Sequence, residues 1–178
     1  LIEGGETAKL RPAENSRWFA QTAADINAQV ADAEKRIGDQ RNKEFDSTVI
    51  DLKILANLAL FHSRRIPAAV SYRLFDRTKD PKALDEAIAQ ERSAIDAWRQ
   101  LVTAAGDFYA EDLMMGVRGA SLCGHWRDEL AALEQGLATL ERQRQELKSS
   151  ADSTSVPRYR PVATTGDGEA PLVTHSPV

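Results

Sequence analysis

The chain has 178 residues, 42% hydrophobic and 28% charged, with a formal net charge of -4. That make-up suits a soluble globular protein with one well-buried core. The acidic balance argues against a phosphate-tracking surface and so against nucleic acid as a partner. No apolar run reaches the ~18 residues needed for a membrane span. The lone cysteine, Cys123, rules out an internal disulfide, which leaves both a reducing and a secreted setting open.

In chain order, residues 1–14 read as an incoming linker punctuated by Gly4, Gly5 and Pro12. The chain opens at Leu1 without Met or a signal-type stretch, so a segment of a longer polypeptide is expected. A first helix is predicted to start near Asn15 or Ser16. Phe19, Ala23, Ile26, Val30, Ala33 and Ile37 then recur at three- and four-residue steps, defining one buried stripe that ends at Gly38. A second helix is predicted from about Asp46 or Ser47 to Thr78, apolar on most faces and therefore surrounded by other helices. Its Pro67 falls on a wheel with Lys53, Arg64 and Ser71, the most polar side, where water would meet the freed carbonyl. Thr78-Lys79-Asp80-Pro81 is the clearest boundary, with Asp80 as N-cap and Pro81 in the first turn of the third helix. That helix places Leu84, Ile88, Glu91, Ile95, Trp98, Val102 and Ala105 in heptad-like order and stops at Gly106. A fourth, from near His125, buries Trp126, Leu130, Leu133, Leu137, Leu140 and Leu147. The fold class is therefore all-α: residues 15–148 form an up-down-up-down antiparallel four-helix bundle.

Two segments depart from a plain bundle. Residues 106–124 make a connection much longer than helix–helix loops usually are, and it is rich in apolar groups. Phe108, Leu113 and Met114 or Met115 are expected to be buried over the bundle end that holds the start of the second helix. Residues 149–178 turn to Ser, Thr, Gly and Pro, an extended Pro-rich tail leading toward a following domain, with a strand starting near Pro171-Leu172-Val173-Thr174.

Asp51, Leu55, Leu58, His62, Arg65 and Ala69 share one side of the second helix, its apolar side, which is expected to face inward. An antiparallel turn at Thr78–Asp80 sets Glu91 level with Arg65. Asp51, His62, Arg65 and Glu91 are thus read as a structural polar cluster, with an Arg65–Glu91 ion pair that fixes register. Asp51 should find a partner in Tyr109, Arg118, His125 or Arg127. Neither His62, His125, His175 nor Cys123 has metal-ligand spacing, and no cofactor motif or catalytic triad is recognisable, so no metal, cofactor or catalytic residue is assigned. Phe108, Tyr109, Arg118, His125, Trp126 and Arg127 are the residues through which the loop-bearing end would contact a partner, with Trp126 read as a core anchor.

The pieces Asp51-Leu52-Lys53-Ile54-Leu55-Ala56, Phe61-His62-Ser63-Arg64-Arg65 and Gly124-His125-Trp126-Arg127-Asp128-Glu129 resemble a helical domain of large bacterial multidomain proteins related to glycoside hydrolases. In those proteins a catalytic barrel precedes the helices and a β-sandwich follows. The resemblance covers about residues 15–148 and implies a non-catalytic accessory module in an exported, carbohydrate-active chain, periplasmic or secreted. Its partners would be neighbouring domains of the same polypeptide, with carbohydrate reached only through the parent protein. Two other classes stay open: a stand-alone protein-interaction bundle, and an enzyme with its site at the loop-bearing end.

Overall fold

The computed structural model describes residues 11–114, 116, 117, 119 and 123–150. Among them are four α-helices: α1 (Pro12–Ile37), α2 (Lys43–Thr78), α3 (Pro81–Ala105) and α4 (Trp126–Ser150), with a 3-10 turn at Gly38–Gln40. Residues 1–10 of the expected linker, the expected tail from 151 to 178, and Met115, Arg118 and Leu122 lie outside the described residues.

Cross-helix contacts give the direction of each helix. Ser16 meets Ser63 while Glu34 meets Lys53. Phe61 meets Trp98 while Arg65 meets Glu91. Asp85 meets Arg144 while Arg99 meets Glu134. Each successive pair is therefore antiparallel, and the molecule is an up-down-up-down four-helix bundle.

Local chemistry explains the helix starts. α1 begins at Pro12, ahead of the expected Asn15 or Ser16, because Pro suits the first turn and Glu14 Oε2 accepts the Arg11 backbone N–H at 2.9 Å. α2 begins at Lys43, ahead of Asp46, because Asn42 Oδ1 accepts from the Phe45 N–H at 2.8 Å. At the α2–α3 turn Lys79 takes the left-handed conformation (φ 57°) and Asp80 accepts from the Lys82 N–H at 3.0 Å.

The most extensive interfaces are α2 with α3, then α1 with α2, then α3 with α4. One core joins Ile54 and Phe61 of α2 to Ala94, Ile95, Trp98 and Leu101 of α3 and Leu133 of α4. A second joins Phe75, Ala83, Leu84 and Ile88, with Leu137, Leu140 and Leu147 of α4 packed on it. Along the α3–α4 seam, Asp85, Arg92 and Arg99 pair at heptad spacing with Arg144, Glu141 and Glu134. Such surface pairs add little energy, but their order of signs favours one register.

The orientation of α2 corrects the sequence reading. Ile54, Phe61, Ala68 and Phe75 are buried on one flank, and Val49, Ala56, Ala59 and Ser63 on another. The strip between those flanks, with Asp51, Leu55, His62, Arg65 and Ala69, is exposed, and Leu58 is half-buried. Ser71, placed on the polar side by the wheel, is 2% exposed, and Lys53, Arg64 and Pro67 are half-buried. A helix apolar on most faces offers no gradient from which to read its inward side. Three of its four alanines, Ala56, Ala59 and Ala68, lie on the buried flanks, where small side chains let a neighbour approach closely and gain dispersion contacts.

Pro67 lies inside an unbroken α2. Lacking an N–H, it leaves the Ser63 carbonyl without its intrahelical donor. Ser16 Oγ of α1 donates to that carbonyl at 2.5 Å. A neighbouring helix, not water, thus meets the freed acceptor.

Two outcomes follow from this packing. Ser16→Ala should cost about 1 kcal/mol in the native chain and almost nothing in a Pro67→Ala background, where a backbone donor returns to Ser63. Chemical denaturation of the four proteins of that cycle measures the coupling. Leu101→Ala should cost about 2–5 kcal/mol, whereas Leu55→Ala should stay within ~0.5 kcal/mol. A reversed order would mean that the strip holding Leu55 is buried in solution.

Candidate functional site

Two regions gather the polar and aromatic residues: the loop-bearing end and the outward strip of α2. The loop leaves α3 at Gly106, whose N–H bonds the Val102 carbonyl at 3.0 Å with φ 50°. It is closed by a short antiparallel pairing of β1 (Leu113–Met114) with β2 (Cys123–Gly124), in register Leu113 to Gly124 and Met114 to Cys123. Gly124 has φ 121°, and a Cβ there would sit 3.1 Å from Asp128 Oδ2. That carboxylate oxygen accepts the His125 N–H at 2.8 Å and opens α4, so the turn needs glycine.

Tyr109 anchors the loop to the bundle. Its hydroxyl donates to Asp51 Oδ1, and its ring meets Trp126 edge-on at 5.2 Å and Phe108 at 5.2 Å. Trp126 packs against the main core, and its carbonyl accepts from Trp98 Nε1 at 2.8 Å. His125 is 3% exposed; its Nδ1 accepts from Arg127 N and Nε, both at 3.2 Å. Its Nε2 has no hydrogen-bond partner among the described residues. Arg127 also reaches Asp107 at 3.9 Å, a loose exposed contact. Tyr109, Phe108, His125, Trp126 and Arg127 thus come together, while Arg118 lies outside the described residues.

The expected burial of the loop is corrected. Phe108 is 46% exposed, Met114 63% and Val117 72%, while Leu113 is half-buried. Tyr109 and Trp126 already fill the bundle end, and the β pairing satisfies part of the loop backbone, so these other apolar groups are left outward.

On the α2 strip, Arg65 Nε lies 3.6 Å from Glu91 Oε1 at the predicted register. The Arg65 side chain is 47% exposed and that of Glu91 12%. Arg65 also sits over the Phe61 ring at 5.2 Å. Burial raises the Glu91 carboxyl above its usual range, and the Arg65 charge opposes that. His62 contacts the Phe19 and Phe61 rings, both at 5.3 Å, and its imidazole is pushed below the usual histidine range by burial and then by Arg65. Asp51 stands apart from these three. Fourteen positions separate it from Arg65 on one helix, about 21 Å at helical rise.

Sequence reasoning missed Trp18 and Tyr72, which stand 61% and 40% exposed. Trp18 adjoins Phe19 at 5.0 Å and so lies near His62. The signal was available: Trp18 falls off the three- and four-residue stripe that α1 buries. Among the described residues no group of three or more His, Cys, Asp or Glu could hold a metal ion, and no helix is long and apolar enough to cross a membrane. The chain matches no family model, no curated protein and no solved structure.

The Arg65–Glu91 pair should respond asymmetrically. Arg65→Ala leaves a mostly buried carboxylate alone and should cost about 1–2 kcal/mol at neutral pH, discounted because the guanidinium is nearly half in water. Glu91→Gln should cost less. Because the folded-state pKa of Glu91 is raised, the native chain binds more protons than the unfolded one. Its ionisation therefore removes stability as pH climbs from about 4 through that raised pKa. The deficit of Glu91→Gln relative to the native chain should accordingly shrink across that window. In NMR titration, His62 should show a midpoint below ~6.5, and Arg65→Ala should raise it only partway, since burial is the larger cause.

Proposed function

We propose that this chain is a non-catalytic helical interaction module that docks onto a partner domain through its loop-bearing end. The observation that carries the reading is the set Phe108, Met114 and Val117, exposed on a loop held by Tyr109 and by the β1–β2 pairing. Apolar groups left in solvent beside such supports suit docking, because a partner that covers them removes apolar surface from water. A supporting role also suits the carboxylates. Asp51 is engaged by Tyr109 and Glu91 by Arg65, at levels about 21 Å apart along α2. A pair of carboxyl groups acting on one glycosidic bond stands only about 5–10 Å apart.

Within this proposal the partner is a neighbouring domain of the same polypeptide, and a carbohydrate-active parent is supported by the sequence resemblance alone. The test compares the 178-residue chain with the longer polypeptide that the proposal requires. Hydrogen exchange at residues 108–117 should slow in the longer protein, and Met114→Lys with Val117→Asp should abolish that protection while leaving the helical melt unchanged. Equal exchange in both contexts would sink the docking reading. Assayed alone on aryl glycosides, the chain should show no turnover. Turnover lost on Asp51→Asn or Glu91→Gln would establish the enzyme alternative instead.

A further inference from the structure

Among the described residues, His125 is the buried side chain whose hydrogen bonding is incomplete. It stands between the β1–β2 pairing and α4, almost wholly out of solvent. Its backbone is fixed on both sides: the N–H donates to Asp128 Oδ2 at 2.8 Å, and the carbonyl accepts from the Asp128 N–H at 2.9 Å. At Nδ1 the ring accepts from two donors of Arg127, the backbone N–H and the guanidinium Nε–H, both at 3.2 Å. A ring nitrogen that accepts carries no proton, so the seated imidazole is neutral with its proton on Nε2. That Nε2–H donates to nothing among the described residues. A second proton has only Nδ1 to go to, where it would point at two N–H groups, one of them part of a cation.

We propose that His125 is an acid-released catch: its neutral ring holds the loop-bearing end closed, and on taking up a proton it leaves its seat and frees Arg127 and the loop. No bonded counter-charge steadies a seated imidazolium. On α4, Arg127 opposes it, and Asp128 faces its backbone N–H. In the loop, exposed Asp107 lies 3.9 Å from the Arg127 guanidinium, exposed Asp112 precedes Leu113, the strand partner of Gly124, and Cys123 precedes Gly124. α2 brings Asp51, which accepts from Tyr109. α3 brings the Trp98 indole, which donates to the Trp126 carbonyl and does not titrate.

The ring also belongs to the aromatic group that mounts the loop. It meets Trp126 edge-on at 5.5 Å, and Trp126 meets Tyr109, whose hydroxyl donates to Asp51. Withdrawing His125 therefore removes one support of the ring on which Tyr109 packs. The unmet Nε2–H favours release, because in water both ring nitrogens find partners and the closed state lacks one. Opening takes up one proton, so acid favours the open loop and alkali the closed one. The opening constant should grow by up to about ten-fold for each unit by which pH falls through the range where histidine gains its charge. As a control on docking, this catch rests on the loop-docking reading above. As a property of the chain alone it does not, and the isolated chain tests it.

The experiment is NMR on the full 178-residue chain between about pH 8 and pH 5. Long-range proton–nitrogen spectra at the upper end should show His125 with a proton on Nε2 and none on Nδ1. Hydrogen exchange at residues 107–114 and 123–127, corrected for the intrinsic pH dependence of amide exchange, should accelerate on acidification, by about ten-fold per pH unit where it is steepest. His125→Gln, which keeps an acceptor and takes no proton, should hold the loop and abolish the acceleration, whereas His62→Gln should leave it intact. Arg127→Ala, which takes the guanidinium away from Nδ1, should reduce it and decides the matter if His125→Gln does not fold. A proton on Nδ1 at the upper end overturns the proposal, as does loop exchange with only the intrinsic pH dependence. So does an acceleration that persists in His125→Gln, is unchanged in Arg127→Ala or is lost in His62→Gln.

Discussion

The rest of the structure depends on α2 having to bury two flanks at once. With α3 packed on Ile54, Phe61, Ala68 and Phe75, and α1 covering another flank, α2 is held between neighbours and not set at the rim of a ring. Alanines and serines on those flanks make close approach possible. What remains of its circumference is surface, although much of that surface is apolar. Hydrophobicity therefore drives the assembly here, and the buried flanks mix large groups such as Phe61 and Phe75 with small ones such as Ala56 and Ser71.

The two ends of the molecule differ in kind. At the α2–α3 turn, a left-handed Lys79 and the Asp80 cap give a tight connection with nothing to spare. At the other end, α3 and α4 are joined by a long loop that needs its own supports: a glycine at each limb, a strand pairing and the Tyr109 bond to Asp51. Those supports keep the aromatic group around Trp126 in place. They also explain how a loop can be well placed and yet leave Phe108 and Met114 in solvent.

Much of the architecture was legible beforehand because it rests on local rules. The α1 stripe from Phe19 to Ile37, the Asp80 cap and the heptad order of α3 are period and capping signals that need no tertiary knowledge. The Arg65–Glu91 register follows from a short turn and helical rise. The facing of α2 was not legible, since a wheel ranks residues by polarity and α2 has too little contrast, so Ser71 was turned outward and Leu55 inward. Trp18 and Tyr72 were overlooked for a related reason: attention to buried stripes passes over large apolar groups that lie beside them. The loop misled through composition, which counts apolar residues without saying whether the space beneath them is already filled.

The bond from Ser16 to the Ser63 carbonyl bears on which changes of chain length the protein tolerates. Along most of α2 the backbone carbonyls are occupied, and one turn of its surface resembles the next. Pro67 opens a vacant acceptor at one level, and Ser16 on α1 is placed to use it. The alignment of the two helices is thus indexed by a mark on the helices themselves, and the segment joining them has no need to measure it out. Insertions or deletions around Gly38–Asn42 can change the connection without sliding α1, whereas one added residue between Ser16 and Ile26 would rotate the hydroxyl off its acceptor and the apolar stripe off its seat together.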